Sequence, residues 1–134
     1  MQIVSKIIVI DESGMCLVLF RSDTHPLWPG HMDFPGGEVE KNEDSRLAAA
    51  RELREETGIK YNPEHLTLIS KRKHDRIDKL YVLRVIDLKK LQIKLSWEHS
   101  RYELLTLSEL KVQEVADSMD EYFSWAIDKI NELL

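Results

Sequence analysis

The sequence is poor in cysteine, and it lacks any long hydrophobic run. Its single cysteine, Cys16, cannot form an internal disulfide, which excludes a disulfide-stapled secreted scaffold and favours a reducing cytoplasm. Cys16 lies in an apolar run, so a buried strand residue is favoured over a catalytic thiol, which needs a polar and partly exposed site. No apolar run approaches the roughly 20 residues that span a bilayer, and residues 1–6 lack the features of a secretory signal. We therefore expect a cytoplasmic protein without a membrane partner.

Positive charge is also in deficit. The chain has 19 lysines and arginines against 24 aspartates and glutamates, which gives a formal net charge of −5. Because binding to the phosphate backbone of a nucleic acid needs a positive field, we expect no stable nucleic-acid binding. A substrate that carries phosphate would instead need a divalent cation to neutralise it. With 43% hydrophobic and 32% charged residues, the chain is typical of one globular domain over residues 1–134.

The spacing of apolar residues predicts both strands and helices. The predicted strands are residues 2–10, 15–21, 66–70, 80–88, 91–97 and 102–107, of which the first two form a hairpin. The predicted helices are residues 43–57, residues 108–112, and a last helix that begins with the capping-box pair Ser118 and Glu121. The apolar face of this last helix either packs on a sheet or forms a dimer contact. This order of elements predicts one α/β sandwich.

The helix at residues 43–57 has signals at both ends and along one face. Asn42 is expected to cap its start, and Gly58 suits the left-handed position after its last turn. Leu47, Ala50 and Leu53 mark the predicted apolar stripe. The preceding segment, residues 22–37, holds three of the four prolines and three of the five glycines, which predicts a shaped loop that carries function.

Glu52, Glu55 and Glu56 stand at positions i, i+3 and i+4 of this helix, so their carboxylates share one face. Grouping like charges in this way costs a few tenths of a kcal/mol per pair. Ala48 and Ala49, one turn earlier, are expected to leave room above the carboxylates. Clustered carboxylates with free space suit Mg²⁺, which prefers oxygen ligands and keeps waters that phosphates replace. Taken alone, however, the cluster favours a solvated charged face, since exposed helices are rich in charge.

The residues around the cluster favour the metal site. Gly37 is followed after five residues by Glu43, and after seven more by the sequence R-E-L-R-E-E-T-G-I at residues 51–59. This pattern resembles the Nudix box in every fixed position, and the preceding Phe34-Pro35-Gly36 is similar to the usual approach to the box in that family. The resemblance covers residues 37–59 closely and the remainder in length and element order.

The resemblance implies a fold, a cofactor and a set of ligands. The implied fold is a Nudix-type α/β/α sandwich with a mixed central sheet, and the implied cofactor is Mg²⁺, with Mn²⁺ as a substitute. The implied metal ligands are Glu52, Glu55, Glu56 and the backbone carbonyl of Gly36. Arg51 would orient a glutamate through charge-assisted hydrogen bonds. Glu43 would either hold the start of the helix near the metal cluster or simply favour the helix dipole.

A second similarity to the family lies at residues 97–105. Glu98 in this segment would be a further metal ligand or the general base for the attacking water, against the alternative of a loop carboxylate in solvent. Many members of the family have Trp-Val where this chain has Leu104-Leu105, which puts base stacking there in doubt. His99 is expected to be structural.

The implied activity is Mg²⁺-dependent hydrolysis of a phosphoanhydride bond in a nucleoside triphosphate or other nucleoside diphosphate derivative. Water would attack phosphorus, and Glu55 or Glu98 would take its proton. Arg21, Trp28 and Phe34 are expected to bind the substrate, and His25, His31 and Asp33 lie on the same approach to the box. The Trp28 ring either stacks on a base or packs the loop onto the core. The basic stretch at residues 71–76 either reaches phosphates or is a solvated hairpin tip, and the tip is favoured.

Three alternatives or additions follow from the same resemblance. The fold also serves as a ligand-sensing or protein-binding module, but such proteins commonly lose the box glutamates, which are all present here. It also serves as an isoprenoid diphosphate isomerase, which the single cysteine and the short chain disfavour. Because members of the family often pair, a homodimer is an expected assembly.

Overall fold

The computed structural model describes residues 1–113 and 120–134. Seven strands form one sheet: β1 Ile3–Asp11, β2 Cys16–Arg21, β3 Met32–Asp33, β4 Gly36–Glu38, β5 Thr67–Lys73, β6 Ile77–Val85 and β7 His99–Leu105. The described residues also form three helices, α1 Ser45–Thr57, α2 Leu107–Val112 and α3 Asp120–Leu133, and single 3-10 turns at Pro63–His65 and Leu88–Lys90.

The sheet is mixed, and β1 is its centre. The strands follow the order β3-β2-β1-β6-β5, with β4 also paired to β1 and β7 also paired to β2. The pair of β1 with β6 is parallel, and the other pairs are antiparallel. The predicted hairpin of the first two strands is confirmed, since Ile10 pairs with Cys16.

Helices cover both faces of the sheet, because side chains alternate between the faces along each strand. Ile7 and Val9 of β1 pack in a core with α1, whereas Ile8 and Ile10 pack in a second core with α2 and α3. The α/β/α sandwich with a mixed sheet is therefore confirmed. Cys16 is fully buried in the second core, and burial raises the pKa of its thiol to about 12.

The predicted strand at residues 91–97 is wrong. The alternating apolar residues Leu91, Ile93 and Leu95 are half-buried against the α1 core, but no neighbouring strand pairs with them. The backbone of this segment is hydrogen-bonded to the end of α1, because the Lys94 N–H donates to the Thr57 carbonyl at 2.8 Å. An alternating pattern of apolar residues shows only which side chains are buried. A loop that packs on a core produces the same pattern as a strand.

Helix α1 begins later than predicted, and its buried face matches the predicted stripe only in part. Leu53 is buried and Ala50 packs against the core, as predicted, but Leu47 does not. Asp44, not Asn42, is the cap, and its carboxylate accepts hydrogen bonds from two backbone N–H groups of the first turn. Leu47 is 52% exposed, whereas Ala48 and Ala49 are fully buried. The alanines therefore let the helix approach the sheet closely and do not leave room above the carboxylates.

The last helix buries one face on the sheet, as one of the two alternatives predicts. Tyr122, Phe123, Ala126 and Ile130 are buried in the core that also contains the side chains of β1 and β2. The predicted capping residue Ser118 lies outside the described residues. Among the described helices, none is long and apolar enough to cross a membrane.

Candidate active site

Helix α1 directs its glutamates towards the turn that forms β4. Glu56 is buried, and its carboxylate accepts a hydrogen bond from the Gly36 N–H at 2.7 Å. The Glu52 side chain is mostly buried, and that of Glu55 is about half exposed. The helix and the glycine turn are thus joined through the carboxylate that lies deepest.

Arg51 organises the more exposed carboxylates. Its Nη1 donates to Glu52 at 3.0 Å and to Glu55 at 3.2 Å, and its Nε donates to Glu43 at 2.8 Å. These bonds and the surrounding negative charge raise the pKa of the guanidinium well above its ordinary value. Glu43 also accepts from the Glu40 N–H at 3.0 Å, so it connects the loop before α1 to this network.

The two glycines of β4 leave no space for a side chain. Gly36 has a φ of +139°, and a Cβ there would overlap the Ser5 carbonyl oxygen and lie 2.7 Å from the Lys6 Cα. A Cβ on Gly37 would lie 2.8–2.9 Å from the atoms of the Glu52 carboxylate. The main chain therefore passes directly against the two glutamates.

The surroundings of Glu52 and Glu56 oppose ionisation of their carboxyl groups. Burial raises the pKa of Glu56 to about 8, with further increases from Glu52 and Asp33, while Lys6 opposes the shift. Burial also raises the pKa of Glu52, and Glu55 and Glu98 add to that increase. A group that lacks sufficient positive charge and consists of oxygen donors alone fits a hard divalent cation.

The side chains do not converge into a coordination shell in this structure. Within residues 1–113 and 120–134, no three acidic, histidine or cysteine side chains are grouped closely enough to hold one ion. The reason lies in the contacts above, since Glu52 and Glu55 face Arg51 and Glu56 faces the Gly36 N–H. The fit to a cation therefore rests on the donor chemistry and the charge imbalance.

A cleft of about 360 Å³ adjoins the buried carboxylate. It brings together the predicted residues Arg21, Trp28, Gly36, Glu56 and Glu98 with a second set of residues. This second set comprises Gln2, Val4, Lys6, His25, Leu27, Asp33, Gly37, Glu38, Arg76, His99 and Tyr122. Glu98 is about one third exposed, and its Oε2 lies 3.8 Å from the His25 Nε2.

Phe34 does not belong to this cleft, and its predicted contact with substrate is wrong. Its side chain is 1% exposed and stacks on Phe123 with ring centroids 4.9 Å apart and an interplanar angle of 13°. Phe34 follows Asp33 in an extended segment, so the two side chains point to opposite sides. Phe34 consequently anchors the glycine turn to helix α3, and its neighbour Asp33 reaches the cleft.

Trp28 stands at the edge of the cleft in a conformation that is uncommon for a large side chain. Its φ is +52°, and its side chain is 42% exposed. The loop is held by Arg21, which donates to the Leu27 carbonyl at 2.8 Å and to Asp33 at 3.0 Å. Strained residues of this kind cluster at sites of function.

Sequence reasoning missed three buried groups of the cleft. Lys6 is buried and donates to Asp33 at 2.9 Å, the Tyr122 hydroxyl has no hydrogen-bond partner among the described residues, and neither has Nδ1 of His99. Burial lowers the pKa of His99 to about 4, and its Nδ1 lies 3.9 Å from a Glu56 carboxylate oxygen. Lys6 had one available signal, because it is the only charged residue within the strand pattern of residues 2–10.

The basic stretch at residues 71–76 surrounds a buried carboxylate instead of forming a solvated tip throughout. Asp78 is 1% exposed and accepts from Arg76 Nε at 2.8 Å, from Arg72 at 3.2 Å and from His74 at 2.9 Å. Arg72 also lies over the Trp125 ring at 5.4 Å, and Arg76 lines the cleft. Asp75 remains at the exposed end of the hairpin.

Comparisons with known proteins agree with this arrangement. The family model described as the NUDIX domain matches residues 2–126. A putative 8-oxo-dGTP diphosphatase of Bacillus subtilis (strain 168) is 46% identical over 52 residues, which are 39% of this chain and 32% of that protein. The 8-oxo-dGTP diphosphatase of Escherichia coli (strain K12) is 32% identical over 79 residues, which are 59% of this chain and 58% of that protein.

Among solved structures, the MutT protein from Methanosarcina mazei Go1 is similar over nearly the whole chain. The TM-score is 0.77 with 27% identity, and the match covers 98% of this chain and 95% of that one. The chain thus shares its fold along its length with that protein, whereas it spans only about one third and somewhat over half of the two curated relatives.

Proposed function

The chain belongs to the NUDIX family, and on that premise we propose that it hydrolyses a phosphoanhydride bond of a nucleoside triphosphate or other nucleoside diphosphate derivative with Mg²⁺ as cofactor. One observation carries the proposal. Glu52 and Glu55 are joined through Arg51, and Glu56, which accepts a hydrogen bond from the glycine turn, lines the cleft. The carboxylates of Glu52 and Glu56 are buried, which raises their pKa values, so keeping both ionised is costly without a cation.

The residues that would hold the metal are Glu52, Glu55 and Glu56, with the carbonyl of Gly36. When bound, Mg²⁺ or its substitute Mn²⁺ neutralises diphosphate oxygens and makes a bound water more acidic. Arg51 holds two of the three carboxylates in place with charge-assisted hydrogen bonds. These contacts keep the glutamates together despite their repulsion.

The remaining catalytic step needs a base and a bound substrate. Glu98, at the edge of the cleft, or Glu55 accepts the proton of the water that attacks phosphorus. Trp28 offers an exposed ring for a nucleobase, and Arg21 fixes the loop that carries it. Relatives named for action on 8-oxo-dGTP support a nucleoside triphosphate as the substrate class.

The alternative function, the cellular location and the binding partners are properties of the whole protein. A non-catalytic sensing module is disfavoured because all three glutamates and Arg51 are kept and connected. We keep the cytoplasmic location, the absence of stable nucleic-acid binding and the homodimer as predictions.

The test is release of phosphate or diphosphate from a panel of nucleoside triphosphates, with Mg²⁺ and with chelator. The wild type is expected to require Mg²⁺, and Glu55→Gln with Glu56→Gln is expected to lose at least about a hundredfold in kcat/KM. Glu64→Gln is a matched control, because Glu64 is exposed and lies outside the cleft. A folded double variant that keeps wild-type turnover would show that these carboxylates do not carry the reaction.

A further inference from the structure

The cleft has two flanks, which lie on opposite sides of β1. On one side β4 pairs with β1, with Lys6 opposite Gly36, and on the other side β6 pairs with β1, with Ile3 opposite Ile77. Strands in a sheet are about 4.8 Å apart, so β4 and β6 are separated by about 10 Å. The side chains of Gln2, Val4 and Lys6 form the floor between the two flanks.

The two flanks differ in chemistry. The β4 flank carries the carboxylates of Glu38 and Glu56. On the opposite flank Arg76 lies directly before β6, and Tyr122 of α3 lies next to the floor, with Lys6 Nζ 6.0 Å from its ring centroid. Together with Lys6 on the floor, this side of the cleft presents an ammonium, a guanidinium and a hydroxyl, which all donate hydrogen bonds.

The acidic groups on the floor and behind the Arg76 flank are already occupied. Asp33 accepts from Lys6 at 2.9 Å, from Arg21 at 3.0 Å and from the Phe34 N–H at 2.8 Å. Asp78 accepts from three basic side chains of the β5–β6 hairpin. Both carboxylates are at least 98% buried, so they position the cations and leave no acceptor for a ligand.

Arg76 and Tyr122 have unused donor capacity. The Nε of Arg76 donates to Asp78, and none of the described residues accepts from its two terminal amino groups. Its side chain is 35% exposed, and it lines the cleft. The buried Tyr122 hydroxyl lies near Asp33, which already accepts three hydrogen bonds, and it has no partner of good hydrogen-bond geometry in the described part of the chain. This is costly unless a ligand or water supplies a partner.

We propose that Arg76 and Tyr122, with Lys6, read the carbonyl edge of a nucleobase and select 6-oxopurines over adenine. The proposal rests on the proposed function, since the base must belong to the nucleotide whose phosphates lie at the glutamates. Hypoxanthine and guanine present two acceptors, O6 and N7, which match the fork of a guanidinium. Adenine replaces O6 with an amino donor, which would face donors on this flank.

The test uses substrates that differ at one position of the base. Wild-type kcat/KM with Mg²⁺ is expected to be roughly tenfold higher for inosine triphosphate than for adenosine triphosphate, the size of effect of one bidentate base contact. Arg76→Gln is expected to reduce this ratio to near one, and Tyr122→Phe to reduce it in part. Arg84→Gln, the same change at an exposed position of β6, is expected to keep the wild-type ratio.

Equilibrium binding separates this inference from the proposed function. Titration calorimetry with inosine and adenosine monophosphates measures base preference without turnover, and thermal unfolding confirms that each variant is folded. Absence of hydrolysis with every nucleotide would refute the proposed function, and the binding preference would still decide the inference. Equal or tighter binding of adenosine monophosphate by the wild type, or equal ratios for Arg76→Gln and Arg84→Gln, would overturn it.

Discussion

Glu56 is buried in the folded protein, and burial disfavours the ionised carboxylate that the proposed metal binding needs. Its carboxyl is buried, and its pKa rises from an ordinary value of 4.5 to about 8. Between those values the folded protein holds a proton that the unfolded chain has released. The free energy of unfolding therefore falls as pH rises through this range, and the loss is complete above about pH 8.

Other groups limit where this effect can be observed. The pKa of His99 falls from 6.5 to about 4, so the unfolded chain binds the extra proton in that range and stability rises with pH up to 6.5. The exposed His74 has a raised pKa and loses its stabilising contribution above pH 6.5, in the same direction as Glu56. A comparison of two variants above pH 6.5 removes the common contributions.

We predict that Glu56→Gln stabilises the metal-free protein, and that this gain grows between pH 6.5 and 8. The glutamine amide stays neutral at every pH in this range, whereas the buried Glu56 carboxyl becomes charged at a cost in free energy as the pH rises. Urea unfolding in the presence of chelator at several pH values measures the difference from wild type. A difference that stays constant across this range would contradict the raised pKa, and Glu64→Gln serves as the exposed control.

At the scale of elements, the site depends on how closely β4 approaches β1. Gly36 has a positive φ, and a methyl group on its Cα would overlap the Ser5 carbonyl oxygen, so this strand pair tolerates no side chain there. The N–H of Gly36 also seats Glu56. A shift of β4 would therefore move a carboxylate as well as a strand.

We predict that Gly36→Ala lowers the free energy of unfolding by at least about 2 kcal/mol, because the new methyl group overlaps backbone that cannot move freely. Gly14→Ala is the matched control. Gly14 also has a positive φ, of +88°, but a Cβ there meets nothing within 4 Å, so only about 1 kcal/mol is expected. Denaturant unfolding of the two variants gives both values, and equal losses would show that crowding at β4 is unimportant.

Local patterns predict the elements that are determined locally. Helix α1 follows from its periodicity and from Gly58, which does adopt the left-handed conformation with a φ of +76°. The short strands β3 and β4 lie inside the predicted loop of residues 22–37, since they exist only through pairing with β2 and β1. Asn42 and Asp44 are both good capping residues by type, and only the backbone geometry decides that Asp44 is the cap.

At the scale of the whole molecule, sequence reasoning found the glutamates and missed the buried groups Lys6 and Tyr122 of the adjoining cleft. Glu52, Glu55 and Glu56 are close in sequence, so one helix suffices to place them together. Lys6 and Tyr122 are far apart in sequence and meet only after the sheet and α3 have formed. Their individual patterns indicate a strand and an apolar helix face, and neither pattern shows that a cleft lies between them.

Although the net charge is −5, the basic side chains are not spread evenly over the protein. Two buried aspartates, Asp33 and Asp78, gather five basic side chains at and beside the cleft: Lys6, Arg21, Arg72, His74 and Arg76. Of these side chains, Arg76 lies on the β6 side of β1, whereas Glu38 and Glu56 line the cleft on the β4 side. An acidic protein thus combines a place for cations with a place for groups that accept hydrogen bonds, at the two flanks of one cleft.

The central claim is that Glu52, Glu55 and Glu56 bind divalent cations, and direct titration with Mn²⁺ followed by electron paramagnetic resonance tests it. The wild type is expected to remove Mn²⁺ from the free-ion signal, and Mg²⁺ is expected to displace it. A folded variant with all three glutamates changed to glutamine is expected to leave the free-ion signal unchanged, while Glu64→Gln binds as the wild type does. Wild-type Mn²⁺ binding by the triple variant would contradict the account.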